Sequence, residues 1–194
     1  MRTHTGKEGV PMTRRPSTAA LLALLVCPAL RAADPPKPAP VVVPKATPRP
    51  DDVASLDGMM KAFYEVVSGP AGTPRQWSRD RTLYIDNVRF VSMGVGKDGK
   101  PVAHVMSHQE FVDRSDGMSK EGFDEREIHR VTKRFGNIAH VFSTYESRKV
   151  AGGPVTDRGV NSLELYWDGT RGWIASAIWD EERKDNPIPK DLLP

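Results

Sequence analysis

The chain has 194 residues, one cysteine and a formal net charge of +3. Five of the 28 Lys and Arg residues, but only one of the 25 Asp and Glu residues, lie within residues 1–32, which leaves 23 basic and 24 acidic side chains in the rest of the chain. This balance removes the charge argument for nucleic-acid binding. Because the one cysteine is Cys27, removal of residues 1–33 would also exclude disulfides, zinc–thiolate sites and cysteine nucleophiles.

The first 33 residues have the pattern of a secretory signal peptide. Arg14 and Arg15 precede an apolar run over residues 19–26, and small residues follow at 29–33. The alternative is a membrane anchor, but a spanning helix needs about 20 apolar residues. We therefore predict an exported protein, periplasmic or secreted, with no stable membrane span after cleavage. Translation could start at Met1 or at Met12.

A proline-rich linker follows the signal peptide. Residues 34–50 contain seven prolines in 17 positions, a composition that favours an extended, semi-stiff backbone. It is interpreted as a tether, with a ligand for a proline-binding module as the alternative. Residues 51–185 then form one domain, and residues 186–194 form a polar tail.

The first half of the domain shows three helices and a hairpin. Apolar residues at steps of three and four over 53–67 predict the first helix, and a capping box at 73–76 predicts a second that ends near 86–87. A strand over 88–94, a turn at 97–100 and a returning strand over 101–106 form the hairpin. A second capping box, Ser107 to Glu110, begins the third helix.

The second half shows four strands joined by short turns. The stretch from Phe123 to Arg148 reads as two strands around a Phe-Gly-Asn turn, and two more strands follow over 158–167 and 172–179. Helices followed by an antiparallel meander predict an α+β domain.

This order of elements, with the segments 83–90 and 172–174, resembles the nuclear transport factor 2-like superfamily. Its members include ketosteroid isomerase, scytalone dehydratase, SnoaL-like polyketide cyclases and uncharacterised exported bacterial proteins. The resemblance implies a cone in which three N-terminal helices pack in a strongly curved, mainly antiparallel sheet, with an apolar cavity at one end. The position of the isomerase base corresponds to Ser92, and that of its tyrosine lies near Ala62, with Tyr64 close by. These departures argue against isomerase chemistry of that kind.

A cavity in such a cone is expected to bind a small apolar ligand through aromatic and polar side chains, and no cofactor is expected. Spacing alone leaves open which sheet face points inward. The predicted ligand-binding residues are Tyr64, Trp77, Tyr84, Ser143, Tyr145, Asn161 and Trp179.

Acid–base chemistry would depend on His104 or His140 together with Tyr145. Antiparallel pairing is expected to bring His129 close to His140, which indicates a metal site, a proton relay or an exposed polar pair; no metal is predicted. The acidic residues near the start of the third strand are interpreted as a solvated sheet edge.

Three functions remain open: a ligand-binding domain, a SnoaL-like acid–base enzyme of the isomerase, cyclase or dehydratase type, and a non-catalytic dimerisation module. Apolar residues on both faces of the strand 138–148 predict a homodimer through the outer sheet face.

Overall fold

The computed structural model describes residues 39–194, the side chain of Met118 excepted. The predicted signal peptide, with Cys27 and the alternative start at Met12, and the first five linker residues, 34–38, lie outside the described residues. Within the described part the helices and strands follow in this order: α1 Pro50–Val53, α2 Leu56–Val67, α3 Trp77–Arg81, β1 Tyr84–Val95, β2 Pro101–Met106, α4 His108–Ser115, α5 Met118–Glu121, β3 Asp124–Phe135, β4 Ile138–Arg148, β5 Asp157–Trp167, β6 Gly172–Glu181 and a short 3-10 helix Lys190–Leu192.

The six strands form one mixed sheet in the order β2-β1-β6-β5-β4-β3. The predicted meander is the antiparallel run β3 to β6, and β1 joins it beside β6 as the one parallel neighbour. Irregular registers interrupt β1, β3 and β6, and such bulges bend a sheet. The sheet is open and curved, as expected for the α+β cone.

The first predicted helix is divided in two. Ser55 has an extended backbone, φ −139° and ψ 160°, so the helix cannot run through it. Its hydroxyl instead accepts a hydrogen bond from the Gly58 amide at 3.1 Å and caps α2. The helical face that the sequence indicates is therefore carried mainly by α2, whose buried side faces the core.

The second predicted helix starts and ends at the wrong residues. Thr73 to Gln76 does not form a capping box, because the Gln76 amide donates to the Val66 carbonyl of α2 at 3.0 Å. The helix α3 begins only at Trp77 and ends at Arg81, since the chain enters β1 at Tyr84, opposite Ile174. By contrast, the capping box predicted at Ser107 and Glu110 is present at the start of α4.

The histidine that begins α4 is not at the surface. The sequence places His108 at the first helical position and hence toward solvent, but it is 7% exposed. Its Nε2 lies 2.7 Å from an oxygen of the fully buried Asp80 in α3, so this contact joins the two helices.

The outer face of the sheet is partly covered by the chain's own C-terminal segment. The Thr144 hydroxyl of β4 donates to the Leu192 carbonyl at 2.5 Å, and Ile188 is buried. Beside this segment, Phe142 and Ile178 remain 37% and 40% exposed. The tail therefore covers part of the face on which the sequence predicts a second copy; the homodimer stays a prediction.

The described part of the linker is attached to the domain. The Val41 amide donates to Asp113 at 2.8 Å, and its carbonyl accepts from Gln109 at 2.8 Å, both in α4. Val43 also packs against the core. In residues 39–194, no helix combines the length and the apolar character that crossing a membrane requires.

Candidate ligand pocket

Three rows of paired residues cross the inner face of the sheet near the ends of β4 and β6. Directly paired residues on neighbouring strands point to the same face. The first row contains Glu125, Ser147 and Asp157; the second contains Glu127, Tyr145, Gly159 and Glu181; the third contains Arg130, Ser143, Asn161 and Trp179.

A pocket of about 230 Å³ lies between these rows and the helices. Seven of its lining residues are aromatic and three are carboxylic acids. The complete lining consists of Phe63, Val67, Tyr84, Phe90, Phe111, Ser115, Phe123, Glu125, Tyr145, Ser147, Asp157, Asn161, Trp179 and Glu181.

The aromatic side chains of the wall touch one another. Phe90 and Phe111 are stacked with ring centroids 4.5 Å apart, and Tyr84 meets Phe90 edge-on at 4.9 Å. Phe111 also meets Trp179 edge-on at 6.1 Å. Such contacts hold these four rings in place, so this part of the wall presents defined ring faces and edges.

Glu125 is the acidic residue set among these rings. It is half-buried, and its backbone is joined to Ser68, whose hydroxyl accepts from the Glu125 amide at 3.0 Å. Its carboxylate makes no hydrogen bond or ion pair with any of residues 39–194. Because burial penalises the charged form, the pKa of Glu125 is raised to about 8.

The neighbouring Glu127 has the opposite surroundings. Its carboxylate accepts from the Ser143 hydroxyl at 2.5 Å and from the Arg130 Nε at 2.8 Å. Arg130 also pairs with Asp57 at 2.6 Å. Two glutamates on one strand face therefore differ in that one is neutralised by an arginine and the other is not.

A buried hydroxyl group lies directly behind the pocket. The Tyr64 hydroxyl of α2 is 2.6 Å from the Ser143 hydroxyl and accepts from the Asn161 amide at 3.1 Å. Burial raises the pKa of Tyr64 above its usual range, so it stays protonated at neutral pH. These bonds fix the Asn161 side chain where it reaches the pocket.

One β-bulge sets the inward direction of both glutamates. From the hairpin back to His129, which pairs with Thr144, the β3–β4 register is regular. Continued without interruption, it would place Glu125 opposite Arg148, on the outer face. The shift between Glu127 and His129 instead pairs Glu125 with Ser147. The interpretation of these acids as a solvated edge is therefore wrong.

Solved structures resemble this domain at low sequence identity. A hexachlorocyclohexane dehydrochlorinase from Novosphingobium barchaimii LL02 matches with a TM-score of 0.50 and 9% identity, over 67% of this chain and 86% of that chain. An NTF-2 like protein of unknown function from Silicibacter pomeroyi DSS-3 matches with a TM-score of 0.48 and 14% identity, over 66% of this chain and 94% of that chain. The domain has the nuclear transport factor 2-like fold. The sequence itself matches no family profile and no curated protein.

In this nuclear transport factor 2-like domain, four of the predicted ligand-binding residues line the pocket: Tyr84, Tyr145, Asn161 and Trp179. Tyr64 and Ser143 lie behind it, in the buried hydrogen-bonded group. Trp77 packs edge-on against Phe111 at 6.1 Å and donates its indole N–H to Asp116 at 3.0 Å, so it supports the wall from outside. Their role in binding stays a prediction.

The two histidines predicted for catalysis do not reach the pocket. His104 is exposed on the edge strand β2, in register with Ser92, which is also absent from the lining. His140 lies on the outer face, 2.9 Å from the Ser162 hydroxyl. It pairs with Lys133 and Glu164, whereas His129 pairs with Thr144 four positions away, so the expected contact between His129 and His140 is wrong.

Several lining residues are not indicated as ligand contacts by the sequence. Phe63 falls within the apolar pattern of the first predicted helix and Glu125 within the predicted solvated edge, and both face the pocket. The signal that could have found Glu125 is its pairing with β4, but that pairing depends on the bulge. Among residues 39–194, no group of three or more His, Cys, Asp or Glu side chains is arranged to hold a metal ion.

Proposed function

We propose that this domain binds a small molecule in the inner pocket. The observation that supports the proposal is a pocket of about 230 Å³ walled by seven aromatic side chains, with the unpartnered Glu125 among them. An apolar cavity with a few convergent polar groups is the usual form of a small-molecule site. The alternative of a dimerisation module with a self-filled interior has less support, because side chains leave this space open.

The wall supplies both affinity and orientation. Burial of apolar ligand surface contributes about 25 cal/mol per Å². Asn161 and Ser147 offer hydrogen bonds at one side of the pocket, and the Tyr145 hydroxyl has no hydrogen-bond partner among the described residues. A ligand with one polar end is therefore favoured over a pure hydrocarbon.

Filling the pocket tests this proposal. Ser147→Phe should occupy it and abolish the binding and thermal stabilisation produced by a panel of small aromatic and aliphatic compounds, measured by calorimetry and melting temperature. Ser176→Phe, on the outer face of β6, is the matched control and should leave binding unchanged. Equal binding by wild type and Ser147→Phe would contradict the proposal.

A second candidate function is an acid–base enzyme that uses Glu125. A carboxyl group whose pKa is about 8 can both accept and donate a proton at neutral pH, which suits proton transfer next to a carbonyl group. Tyr145 and Asn161 line the same pocket and could hydrogen-bond the carbonyl oxygen. In this version Glu125 replaces the two histidines as the proton-transfer group.

Deuterium exchange distinguishes the enzyme from the binding domain. The enzyme would replace the acidic C–H protons of a bound ketone with deuterium from D₂O, which NMR follows. Glu125→Gln would abolish this exchange. His104→Ala with His140→Ala should leave the rate unchanged, because both residues lie outside the pocket. Exchange that survives Glu125→Gln would contradict the catalytic role.

The cellular placement is proposed from the sequence. We propose that residues 1–33 direct export and are removed, so that the domain acts in the periplasm or outside the cell. N-terminal sequencing of the protein recovered from a secreting host should find a new terminus near residue 34. Recovery of the uncleaved chain from the cytoplasm would contradict this.

We also propose a homodimer through the exposed part of the outer face. Phe142 and Ile178 are its apolar residues beside the C-terminal segment. Analytical ultracentrifugation should find a dimer in the wild type and a monomer in Phe142→Glu. A wild-type protein that is monomeric at tens of micromolar would contradict the proposed homodimer.

A further inference from the structure

The pocket is rich in acidic side chains and poor in basic ones. Its lining contains Glu125, Asp157 and Glu181, and none of the described residues that line it is Lys, Arg or His. None of these three carboxylates forms an ion pair with any of residues 39–194, unlike Glu127 and its arginine. Such a lining repels an anionic ligand and leaves negative charge for a ligand to balance.

The aromatic wall suits positive charge. The face of an aromatic ring carries partial negative charge and attracts an ammonium group within about 6 Å of its centroid. Seven rings surround this pocket, and Glu125 lies among them. A neutral apolar ligand would fill the space but would cover the polar Glu125 carboxyl group without giving it a hydrogen-bond partner, which costs free energy.

We propose that the ligand of this pocket is an organic cation, with an alkylammonium group held against the aromatic rings and balanced by Glu125. This inference rests on the proposed binding function and adds the class of ligand to it. Asp157 and Glu181 are exposed and stand at the entrance, where they attract cations. Glu125 lies deeper in the pocket and, in this proposal, is closer to the bound ammonium group than these two carboxylates are.

Binding should be coupled to release of a proton. Glu125 is largely protonated at neutral pH in the empty pocket, and a bound cation favours its ionised form. The other titratable groups that line the pocket are Tyr84, Tyr145, Asp157 and Glu181. Burial raises the pKa of both tyrosines above the usual range, so they stay protonated. On its other side, Glu125 lines a second cavity between α2 and β3, whose titratable groups are Asp57, Lys61, Tyr64, Glu65, Asp124, Arg126, Glu127 and Arg130. His108 touches Tyr84 and Phe90 from behind and does not line the pocket.

The test uses two compounds of the same shape and different charge. Choline carries a quaternary ammonium group that does not titrate, and 3,3-dimethylbutan-1-ol is its neutral counterpart. Calorimetry with the purified full-length protein should show choline binding at least about tenfold tighter than 3,3-dimethylbutan-1-ol at pH 8.5. Its affinity should fall about tenfold in total between pH 8.5 and pH 6, as Glu125 becomes protonated, and protons should be released on binding near neutral pH.

Variants of the wall and of the acid separate the two contributions. Glu125→Gln should weaken choline binding about tenfold at pH 8.5, remove the pH dependence and leave the neutral compound unaffected. Trp179→Leu keeps apolar bulk but removes a ring, so choline affinity should fall several-fold while that of the neutral compound holds. Glu164→Gln, on the exposed outer face, is the matched control with no expected effect. Circular dichroism confirms that each variant folds.

The outcomes distinguish the two proposals. Choline binding that depends on Glu125 supports both. If the neutral compound binds as tightly as choline or more tightly, and Glu125→Gln has no effect, the proposal of a cationic ligand is overturned and that of a ligand pocket is retained. Absence of choline binding likewise overturns the proposal of a cationic ligand. If the panel of small aromatic and aliphatic compounds also fails to bind the same protein, the proposal of a ligand pocket is overturned as well.

Discussion

Gly159 of β5 lies directly against the side chain of Tyr145 on the neighbouring strand. A Cβ atom at position 159 would come 2.6 Å from Cζ of Tyr145 and 2.6 Å from the Asp180 carbonyl oxygen. Only glycine leaves room for the tyrosine to cross β5 and enter the pocket lining. The shape of the pocket therefore depends on a residue with no side chain.

Gly159→Ala should destabilise the domain by about 1–3 kcal/mol, because the new methyl group overlaps both the ring and the backbone of β6. Urea unfolding followed by fluorescence measures the change. Gly94→Ala in β1 is the control: a Cβ there meets no atom within 4 Å, so stability should change little. Equal stability of the two variants would show that the tyrosine moves aside freely.

Stability should decrease as pH rises toward 8. The folded-state pKa of Glu125, about 8, lies above its ordinary value of 4.5, so the folded state binds more protons than the unfolded state between these limits. The contribution is complete below pH 4.5 and lost by pH 8, with a slope of about 1.4 kcal/mol per pH unit at most. Other titrating groups add their own slopes, so the informative quantity is the difference from Glu125→Gln. A difference that does not vary with pH would contradict the raised pKa.

Removing the Tyr64 hydroxyl should cost about 1–3 kcal/mol. Tyr64→Phe deletes the contact with Ser143 and leaves the Asn161 amide without its buried acceptor. Thermal unfolding measures the loss. Tyr166→Phe, a half-buried tyrosine on β5 whose hydroxyl has no hydrogen bond to a described residue, should change stability by less than about 0.5 kcal/mol. Similar effects of the two changes would show that the buried bonds add nothing.

The pair Asp80 and His108 should behave as one unit. His108→Leu leaves the buried Asp80 carboxylate without its partner and should destabilise by about 3 kcal/mol. Because Asp80→Leu with His108→Leu removes both polar groups, the double variant should lose clearly less than the sum of the two single losses. His104→Leu, an exposed histidine, is the control. Additive losses would argue that the two side chains act independently.

The order of elements could be predicted from the sequence because turns and alternation are local. The hairpin around Gly136 and the capping box at Ser107 have residue patterns that act over a few positions. The division of faces along β4 was also visible, with Tyr145 and Ser143 on one side. Which side is inward depends on distant packing and could not be read from spacing.

The acidic part of the site could not be predicted for the same reason. Glu125 reaches the pocket only because the register shifts near Ile128, and no local pattern marks that shift. His108 has the sequence context of an exposed helix start, but its partner is 28 residues earlier in the chain. Both errors arise where a tertiary contact overrides a local preference.

The bulge in β3 has a consequence for comparing this protein with its relatives. Ile128 is the extra residue of the bulge, so its loss would restore regular pairing and still leave Glu125 opposite Ser147, on the inner face. Regular pairing with Ile128 retained would instead place Glu125 opposite Arg148, on the outer face. Two relatives could therefore share both glutamates at this spacing, align without a gap and differ in whether their interior is acidic. We expect the pairing of this strand, more than any substitution, to separate relatives with an acidic interior from those without one.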